Sequence, residues 1–329
     1  MKLSSLSTEN IIQGIFSNNV AIVGKAITLI ESTKTTHRTQ AKQIVERCLQ
    51  KEVSSIRIGV TGVPGAGKST FIEQFGRLLT SQGKKVAVLT IDPSSSRTKG
   101  SILGDKTRMQ ELVKDPNAYI RPSPSNTSLG GVTRKTRESI SILEAAGYDI
   151  IIIETVGVGQ SEIAAQGMVD FFLLLKLAGA GDELQGIKRG IIEMADAIVI
   201  NKADGDNVDR AKWAQMEFKR ALHVFPSKEN GWSPEVLTCS ALENKGLDAV
   251  WRLIESYCKA MRKSGYFQMN RRLQNENWLV QHLEQALLSD FYENPTIKKL
   301  LPTLKNAVVE GSSSPFSAAE ELVAKYRNS

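Results

Sequence analysis

The sequence predicts a doubly wound α/β domain with a mostly parallel, seven-stranded sheet and helical extensions before and after it. Two observations support this prediction. Between residues 56 and 260, short runs rich in β-branched residues alternate with longer amphipathic segments, which is the pattern of a parallel sheet covered by helices on both faces. The length of 329 residues allows two domains or one large domain with appendages.

Seven candidate strands follow one another in this pattern. Each run of strand-forming residues is followed by a turn, a polar loop or a helical segment. The runs occupy residues 56–61, 86–91, 118–121, 149–154, 171–175, 197–201 and 235–239. We therefore assign the domain that contains the sheet to residues 53–262.

A helical extension is predicted before this domain, at residues 1–52. Apolar residues recur there at three- and four-residue spacing over 20–30 and 39–51, and no run of strand formers interrupts them. This extension is expected to pack on the domain as a cap.

A helical arm is predicted after the domain, at residues 263–329. Helical patterns cover 275–288 and 317–327, and two prolines, Pro295 and Pro302, lie between them. The first helix has an apolar face made of Leu279, Val280, Leu283, Ala286 and Leu287. An arm of this length is too short for a core of its own. The face is expected to pack on its own domain or on a second copy of the chain, and we favour a dimerisation arm.

Composition and charge exclude several classes of protein. Hydrophobic residues make up 41% and charged residues 23% of the chain, which excludes a disordered or collagen-like protein. The three cysteines include no CxxC pair and predict neither a disulfide framework nor a zinc site. The formal charge of +7 is too small to indicate nucleic-acid binding. We find no secretory signal and no apolar run that could span a membrane, and we expect a cytoplasmic protein.

The most specific motif is a phosphate-binding loop. The segment GVPGAGKS at 62–69 fits G-x-x-x-x-G-K-[ST] and lies between a predicted strand and a predicted helix, as the motif requires. Its glycines let backbone N–H groups face the phosphates, Lys68 neutralises their charge, and the Ser69 hydroxyl reaches Mg²⁺. Thr70 continues the start of the helix. The predicted phosphate-binding residues are Gly62, Val63, Pro64, Gly65, Ala66, Gly67, Lys68, Ser69 and Thr70.

Carboxylates near strand ends are candidates to complete the magnesium site. Asp92 follows the second strand, Glu154 ends the fourth, and Asp105 lies in the polar loop that follows Asp92. Carboxylate and hydroxyl oxygens are the ligands that Mg²⁺ prefers. We assign Ser69, Asp92, Asp105 and Glu154 to the metal and count Lys68 with the three carboxylates as catalytic. The alternative is a turn residue for Asp92 and Glu154 and a solvated loop charge for Asp105.

A second motif indicates which base is bound. Asn201, Lys202 and Asp204 form N-K-x-D directly after the sixth strand. In that motif the carboxylate accepts from N1–H and the 2-amino group of guanine, a donor pair that adenine lacks, while the lysine stem packs over the base. The segment TCSAL at 238–242 ends the next strand, and Ser240, Ala241 and Leu242 are expected to approach the base through backbone groups. Together the motifs favour GTP over ATP and predict a P-loop GTPase domain.

With these residues, the chain resembles the methylmalonyl-CoA mutase-associated GTPase family, bacterial G-protein chaperones of the SIMIBI class. The resemblance covers nearly the whole length. It is carried by GVTGVPGAGKST at 59–70, LTIDPSS at 89–95, ILGDKTRM at 102–109, RPSPSNTSLGGV at 121–132, DIIIIETVGVGQSE at 149–162, AGAGDELQGIKRGIIEMAD at 178–196 and NKAD at 201–204. The resemblance implies a homodimer whose C-terminal arm helps dimerisation. It also implies that the chain assembles and protects an adenosylcobalamin-dependent mutase, with GTP hydrolysis gating cofactor delivery.

Hydrolysis by the chain alone is expected to be slow. Val158 stands where Ras-like proteins carry the glutamine that orients the attacking water. Gln160, Gln185 and Lys188 are candidates to replace it, or are ordinary polar loop residues, and a partner is the other source. The glycine-bearing segments 92–108, 154–160 and 179–190 are predicted to be the switch regions that respond to the γ-phosphate.

Basic residues near the predicted switches include Arg121, Arg134, Lys135 and Arg137. They are candidates to contact phosphate or an acidic partner, although a solvated face is the simpler expectation for most of them. Cobalamin is expected on the partner, because no D-x-H-x-x-G pattern surrounds any of the three histidines.

Three other functions remain open. Older labels for the family describe a kinase linked to periplasmic lysine, arginine and ornithine transport, which would need a protein acceptor to enter the site. A metallochaperone-type GTPase should show clustered His and Cys residues, whereas His37, His223 and His282 are scattered. A nucleotide-binding scaffold without turnover differs from a GTPase only in its kinetics.

Overall fold

The computed structural model describes residues 6–32, 34–91, 109–122, 129–155, 161–178 and 189–328. Seven strands form one sheet in which every neighbouring pair is parallel, in the order β3-β2-β4-β1-β5-β6-β7. The strands are β1 (Ile56–Thr61), β2 (Val86–Ile91), β3 (Ala118–Arg121), β4 (Ile150–Thr155), β5 (Phe171–Leu177), β6 (Ala197–Asn201) and β7 (Glu235–Thr238). The predicted fold class is confirmed. Only β4, β5 and β7 differ from the predicted bounds, by one or two residues.

The middle of the sheet is buried on both faces. Every residue of β2, β4 and β6 is buried, which explains why these strands are nearly continuous runs of apolar residues. Because all strands are parallel, their carboxyl ends meet at one edge of the sheet and their amino ends at the other. We call these the carboxyl edge and the amino edge.

Two helices cover the first face of the sheet, α4 (Lys68–Ser81) and α9 (Leu247–Lys263). Three aromatic side chains join them. The rings of Phe71 and Phe75 stack at 5.3 Å, and Trp251 meets Phe75 edge-on at 6.2 Å. This packing fixes the first turn of α4, and with it the loop that connects β1 to α4.

The second face is covered in two parts. Helix α5 (Leu129–Ala145) packs on β2 and β4, and the N-terminal helices α1 (Thr8–Phe16), α2 (Val20–Glu31) and α3 (Thr35–Leu49) share its core. The short helix α6 (Ser161–Gln166) lies against β1 and β4 and shares this core, whereas the short helix α7 (Arg189–Met194) and the longer α8 (Val208–Leu222) lie towards β5, β6 and β7. The N-terminal extension is therefore helical, as the sequence predicts.

Basic side chains fasten the N-terminal helices and α6 to the domain. Arg121 on β3 pairs with the carboxylate of Glu31, and Lys135 Nζ donates to the Glu31 backbone oxygen at 2.5 Å. Arg137 donates to the backbone oxygen of Gly167 at 2.6 Å, and burial lowers the pKa of its guanidinium to about 10. Lys135 and Arg137 are both buried. The expectation of a solvated face is wrong for these two residues because their polar groups bond inside the protein.

The chain divides into two compact units, Met1–Arg272 and Leu273–Ser329. Helix α10 (Tyr266–Glu293) begins in the first unit, and α11 (Pro295–Val309) and α12 (Pro315–Arg327) belong to the second. In the second unit α11 and α12 pack against each other, and Ile297, Ala318 and Leu322 are buried. Among the described helices, none is long and apolar enough to cross a membrane.

Helix α11 occurs where the sequence analysis predicts no helix. Its first residue, Pro295, loses no hydrogen bond because the N–H groups of the first turn have no partner within a helix. The Asn294 side chain caps this turn by accepting from the N–H groups of Thr296 and Ile297 at 2.9 and 3.4 Å. Pro302 lies inside the helix, where it removes one backbone hydrogen bond without ending the helix.

Candidate nucleotide site

The predicted phosphate and base motifs come together at the carboxyl edge of the sheet. The phosphate loop follows β1, the N-K-x-D motif follows β6, and the segment with Ser240 follows β7. Glu154 lies near the end of β4, opposite Val60 of β1 in the parallel register. Crevices at this edge are the usual ligand sites of open α/β sheets.

Two glycines in the phosphate loop occupy positions where a larger residue would be strained. At Gly62 the backbone has a φ of +152°, and a Cβ would lie 2.2 Å from the backbone oxygen of Leu175. At Gly67 the φ is +84°, and a Cβ would lie 2.6 Å from Nδ2 of Asn201. The loop therefore packs directly against β5 and against the base motif.

Lys68 is the first residue of α4 and is buried. Its ammonium group donates to the backbone oxygen of Gly62 at 2.7 Å and to that of Val63 at 3.2 Å. These contacts hold the ammonium group of Lys68 against the backbone of the phosphate loop. The remaining predicted residues of the loop include Pro64, Gly65 and Thr70, which are exposed, whereas Ala66 is buried under the loop.

The structure brings two of the four predicted magnesium ligands together. Ser69 Oγ donates to Glu154 Oε1 at 3.2 Å, and Glu154 is buried. A hydroxyl and a buried carboxylate, beside a phosphate loop, are the donor set that Mg²⁺ takes in P-loop proteins. The residues present therefore fit a magnesium ion. Asp92, which directly follows β2, and Asp105 lie outside the described residues, as do Val158, Gln160, Gln185 and Lys188.

Asn201 connects the phosphate loop to the base motif. Its Nδ2 donates to the backbone oxygen of Ala66 at 2.9 Å, and its Oδ1 accepts from the N–H of Ala241 at 3.1 Å. The backbone group of Ala241 that was expected to face the base is thus bonded to Asn201. Asn201 itself positions both loops.

The carboxylate predicted to recognise guanine is held by a neighbouring hydroxyl. Ser240 Oγ donates to Asp204 Oδ2 and accepts from the N–H of Glu243. Ser240 therefore acts here through its side chain, while its backbone N–H and C=O, which were predicted to approach the base, bond to Lys245 at 3.0 Å. Lys202 is exposed with a φ of +58°, and Leu242 is 78% exposed, so both side chains are accessible at the base site.

Cys239 also belongs to this site, although no sequence motif indicates it. Its thiol donates to Asn201 Oδ1 at 3.4 Å beneath the base loop. Burial, and to a smaller extent the nearby Asp204, raises the pKa of Cys239 to about 12. The thiol is therefore protonated at neutral pH and serves as a donor.

Comparison with known proteins identifies one family of GTPases that this chain resembles over most of its length. Residues 23–296 match the family described as methylmalonyl Co-A mutase-associated GTPase MeaB. A probable GTPase of Mycobacterium tuberculosis is 49% identical over 303 residues, covering 92% of this chain and 90% of that protein. The mouse methylmalonic aciduria type A homolog, a mitochondrial protein, is 45% identical and covers 96% of this chain and 78% of its own length. The crystal structure of a LAO/AO transport system kinase is 37% identical, with a TM-score of 0.76 and coverage of 97% of both chains.

Proposed function

The chain belongs to the methylmalonyl-CoA mutase-associated GTPase family, and from this membership we propose that it is a chaperone that assembles and protects an adenosylcobalamin-dependent mutase. It binds guanine nucleotides and hydrolyses GTP. In the proposal, hydrolysis gates delivery of the cofactor, which is held by the mutase. The family match over residues 23–296 is the observation that carries the mutase assignment.

The residues at the carboxyl edge support a direct account of the chemistry. Backbone N–H groups of the phosphate loop and Lys68 neutralise the phosphates, while Asp204 accepts from the guanine edge with Lys202 beside the base. Ser69 and Glu154, with Asp92 and Asp105, would hold Mg²⁺, which would supply charge neutralisation at the transferring phosphoryl group. Water is the acceptor of that group.

We further propose that turnover is slow without the mutase. The apolar Val158 offers no side chain to orient water, so the missing group comes from Gln160, Gln185, Lys188 or the partner. The segments 92–108, 154–160 and 179–190 are proposed to respond to the γ-phosphate and to present that response to the mutase. Cytoplasmic localisation belongs to the same proposal.

The arm at residues 263–329 is proposed to form a homodimer. On α10 the apolar side chains of Leu279, Leu283 and Leu287 are 69%, 56% and 58% exposed. Such a row of exposed leucines usually marks a protein contact. In sedimentation experiments the intact chain should behave as a dimer, and a chain ending after Arg272, which keeps the first compact unit whole, should behave as a monomer. The double variant Leu283→Glu, Leu287→Glu tests the same face in the intact chain, and a dimer that survives both changes would exclude this role for the arm.

The mutase assignment is tested by capture. The protein is immobilised with a non-hydrolysable GTP analogue, exposed to lysate of its source organism, and the retained proteins are identified by mass spectrometry. Lys68→Ala protein in the same column is the matched control for nucleotide-dependent capture. We expect an adenosylcobalamin-dependent mutase to be retained and, once purified, to raise the rate of phosphate release.

A second candidate function follows from the similarity to the LAO/AO transport system kinase. In that case the phosphoryl group would be transferred to a protein linked to periplasmic amino-acid transport. Retention of an amino-acid-binding protein without any mutase would favour this function. The next assay would then follow radioactive γ-phosphate onto the retained protein.

A further inference from the structure

A groove of about 300 Å³ opens at the amino edge of the sheet, on the opposite side from the nucleotide site. It lies where β5 and β6 begin, and its other walls come from α6, α7, α9, the first turn of α10 and the loop before β7. We call it the amino-edge groove. The residues that carry the argument are Asp170, Asp196, Lys228, Glu229, Tyr257, Tyr266 and Asn270.

The charges that line this groove are predominantly negative. Among the described residues that line the groove, four carry carboxylates, Asp170, Glu193, Asp196 and Glu229, and one is cationic, Lys228. Lys228 Nζ lies 2.6 Å from Asp196 Oδ1, so its charge is already balanced.

The two deep carboxylates have partners, whereas one at the surface does not. Asp170 accepts from the guanidinium of Arg271 at 2.6 and 2.8 Å, and Asp196 also accepts from the N–H of Phe172 at 2.8 Å. Glu229 is exposed and makes no ion pair with any described residue. It therefore leaves the groove with negative charge that the described residues do not neutralise.

Tyr257 gives a second and independent indication of a ligand. The residue is only 3% exposed, and its ring packs edge-on against Phe171 and Trp232 with centroids 5.0 and 5.1 Å apart. Its hydroxyl has no hydrogen-bond partner in the part of the chain that the structure describes, and the residue lines the groove. The hydroxyl is therefore a hydrogen-bonding group that an otherwise buried side chain presents at the wall of the groove. Burial, followed by the nearby Asp196, raises the pKa of Tyr257 well above its ordinary value, so the hydroxyl stays neutral.

Further hydrogen-bonding groups line the same wall. Tyr266 and Asn270 are four residues apart on the first turns of α10, so their side chains lie on one face of the helix. The hydroxyl of Tyr266 and the amide of Asn270 also have no hydrogen-bond partner among the described residues. Hydroxyl and amide oxygens accept hydrogen bonds from N–H donors, and tyrosine rings attract cations.

We propose that the amino-edge groove is a second binding site, which takes a guanidinium or alkylammonium group. The group would bring positive charge to Glu229 and the other carboxylates and would donate N–H groups to the hydroxyl of Tyr257 and the amide oxygen of Asn270. The same chemistry is offered by an arginine or lysine side chain of a protein partner and by a free small cation.

Three probes test the proposal on the full chain, with binding measured by calorimetry and by saturation-transfer NMR. The first is acetyl-Gly-Arg-Gly-amide. The second is the same peptide with citrulline, which has nearly the same shape but no charge. The third is agmatine, a free small cation. We expect the arginine peptide or agmatine to bind at least ten times more tightly than the citrulline peptide. The tighter of the two charged probes identifies the source of the ligand.

Two variants localise the binding to the groove. Tyr257→Phe removes only the hydroxyl, and Glu229→Gln removes only the charge; each should weaken binding at least threefold. Tyr148→Phe, at a buried tyrosine outside the groove, and Glu255→Gln, on the exposed side of α9, are the matched controls and should leave binding unchanged. Because the hydroxyl of Tyr257 has no hydrogen-bond partner within the described ranges, its removal should not lower the thermal midpoint.

Three results would overturn the proposal. The first is equal binding of the arginine and citrulline peptides, which would mean that charge is not recognised. The second is unchanged binding in both groove variants, which would place the cation elsewhere. The third is no detectable binding of either charged probe.

Discussion

A buried network of paired charges at the amino edge and the charge of Lys68 at the carboxyl edge serve different purposes. At the amino edge, Arg57, Glu144, Asp170 and Arg271 bind one another: Arg57 Nη2 lies 2.7 Å from Glu144 Oε2, and Arg271 Nη2 lies 2.6 Å from Asp170 Oδ2. At the carboxyl edge, Lys68 donates to two backbone oxygens of its own loop. The charges of this four-residue network stabilise the fold, whereas the charge of Lys68 is placed to meet a ligand. Substitutions at the two edges should therefore change different measured quantities.

The amino-edge network is buried as well as paired. The side chains of Arg271 and Asp170 are 15% and 1% exposed, and Arg271 also donates to the backbone oxygen of Ser55 at 2.9 Å. Burial by itself would lower the pKa of Arg271, but the hydrogen bond and charge of Asp170 raise it. Loss of one member would leave a buried charge without its partner, which is the costly case for buried ion pairs.

The largest expected effect is at the carboxyl edge. Lys68→Ala should lower the rate of GTP hydrolysis by about 10³-fold or more, because the charge that stabilises the transferring phosphoryl group is lost. Phosphate release measures the rate, and chemical denaturation should show little change in the free energy of unfolding. Lys259→Ala, at an exposed lysine of α9, is the control. A variant that keeps near-normal turnover would remove Lys68 from the catalytic role.

The second-largest effect is expected at the amino edge, where a substitution should change the free energy of unfolding and not the rate of hydrolysis. Arg271→Ala should lower the free energy of unfolding by about 3–5 kcal/mol while leaving the hydrolysis rate of the folded protein unchanged. The matched control is Arg252→Ala, which breaks an exposed pair with Asp248 whose side chains are 70% and 58% exposed. That change should cost less than about 1 kcal/mol. Equal losses in the two variants would contradict the comparison between buried and exposed pairs.

A third substitution tests whether Asp204 recognises the base. Asp204→Asn should weaken GTP binding by about 10- to 100-fold, since a hydrogen bond to a charged group contributes roughly 1.5–3 kcal/mol. The amide offers a donor where guanine needs an acceptor, so preference should shift towards xanthine nucleotides. Competition binding with GTP and XTP measures the shift, and the nearby exposed Asp206→Asn is the control. An unchanged preference would mean that Asp204 does not contact the base.

Sequence and structure agree where the signal is local. The strands, the phosphate loop and the N-K-x-D motif each depend on residues close together in the chain, and the sequence is sufficient to predict them. The network of Arg57, Glu144, Asp170 and Arg271 depends on residues far apart in sequence that the parallel sheet and α10 bring together. No spacing rule pairs them in advance.

Helix α11 and the side chain of Asn201 also show what cannot be predicted from local sequence patterns. Helix α11 depends on where its prolines fall relative to the first turn, and Asn294 supplies a cap that a count of prolines does not reveal. The contact of Asn201 with Ala66 joins two motifs that the sequence assigns separately to base and phosphate. Motifs predict which residues belong to a site, whereas the contacts between motifs require the folded chain.

The smallest expected effect is the pH dependence of the amino-edge network. Burial alone would raise the pKa of Glu144, but the charges of Arg57 and Arg271 and hydrogen bonds from Arg57 and Ser55 lower it below its ordinary value. A lowered folded-state pKa means that the stabilisation is complete above the unfolded-state pKa, about 4.3 for glutamate, and is lost as the pH falls through the folded-state value. The difference in unfolding free energy between the native chain and Glu144→Gln should therefore stay constant from pH 7 to about pH 5 and shrink at lower pH. Urea titrations at a series of pH values measure this difference, with Glu255→Gln as the control for an exposed glutamate. A difference that grows on acidification would mean that Glu144 is protonated in the folded protein, and that the two guanidinium groups do not control it.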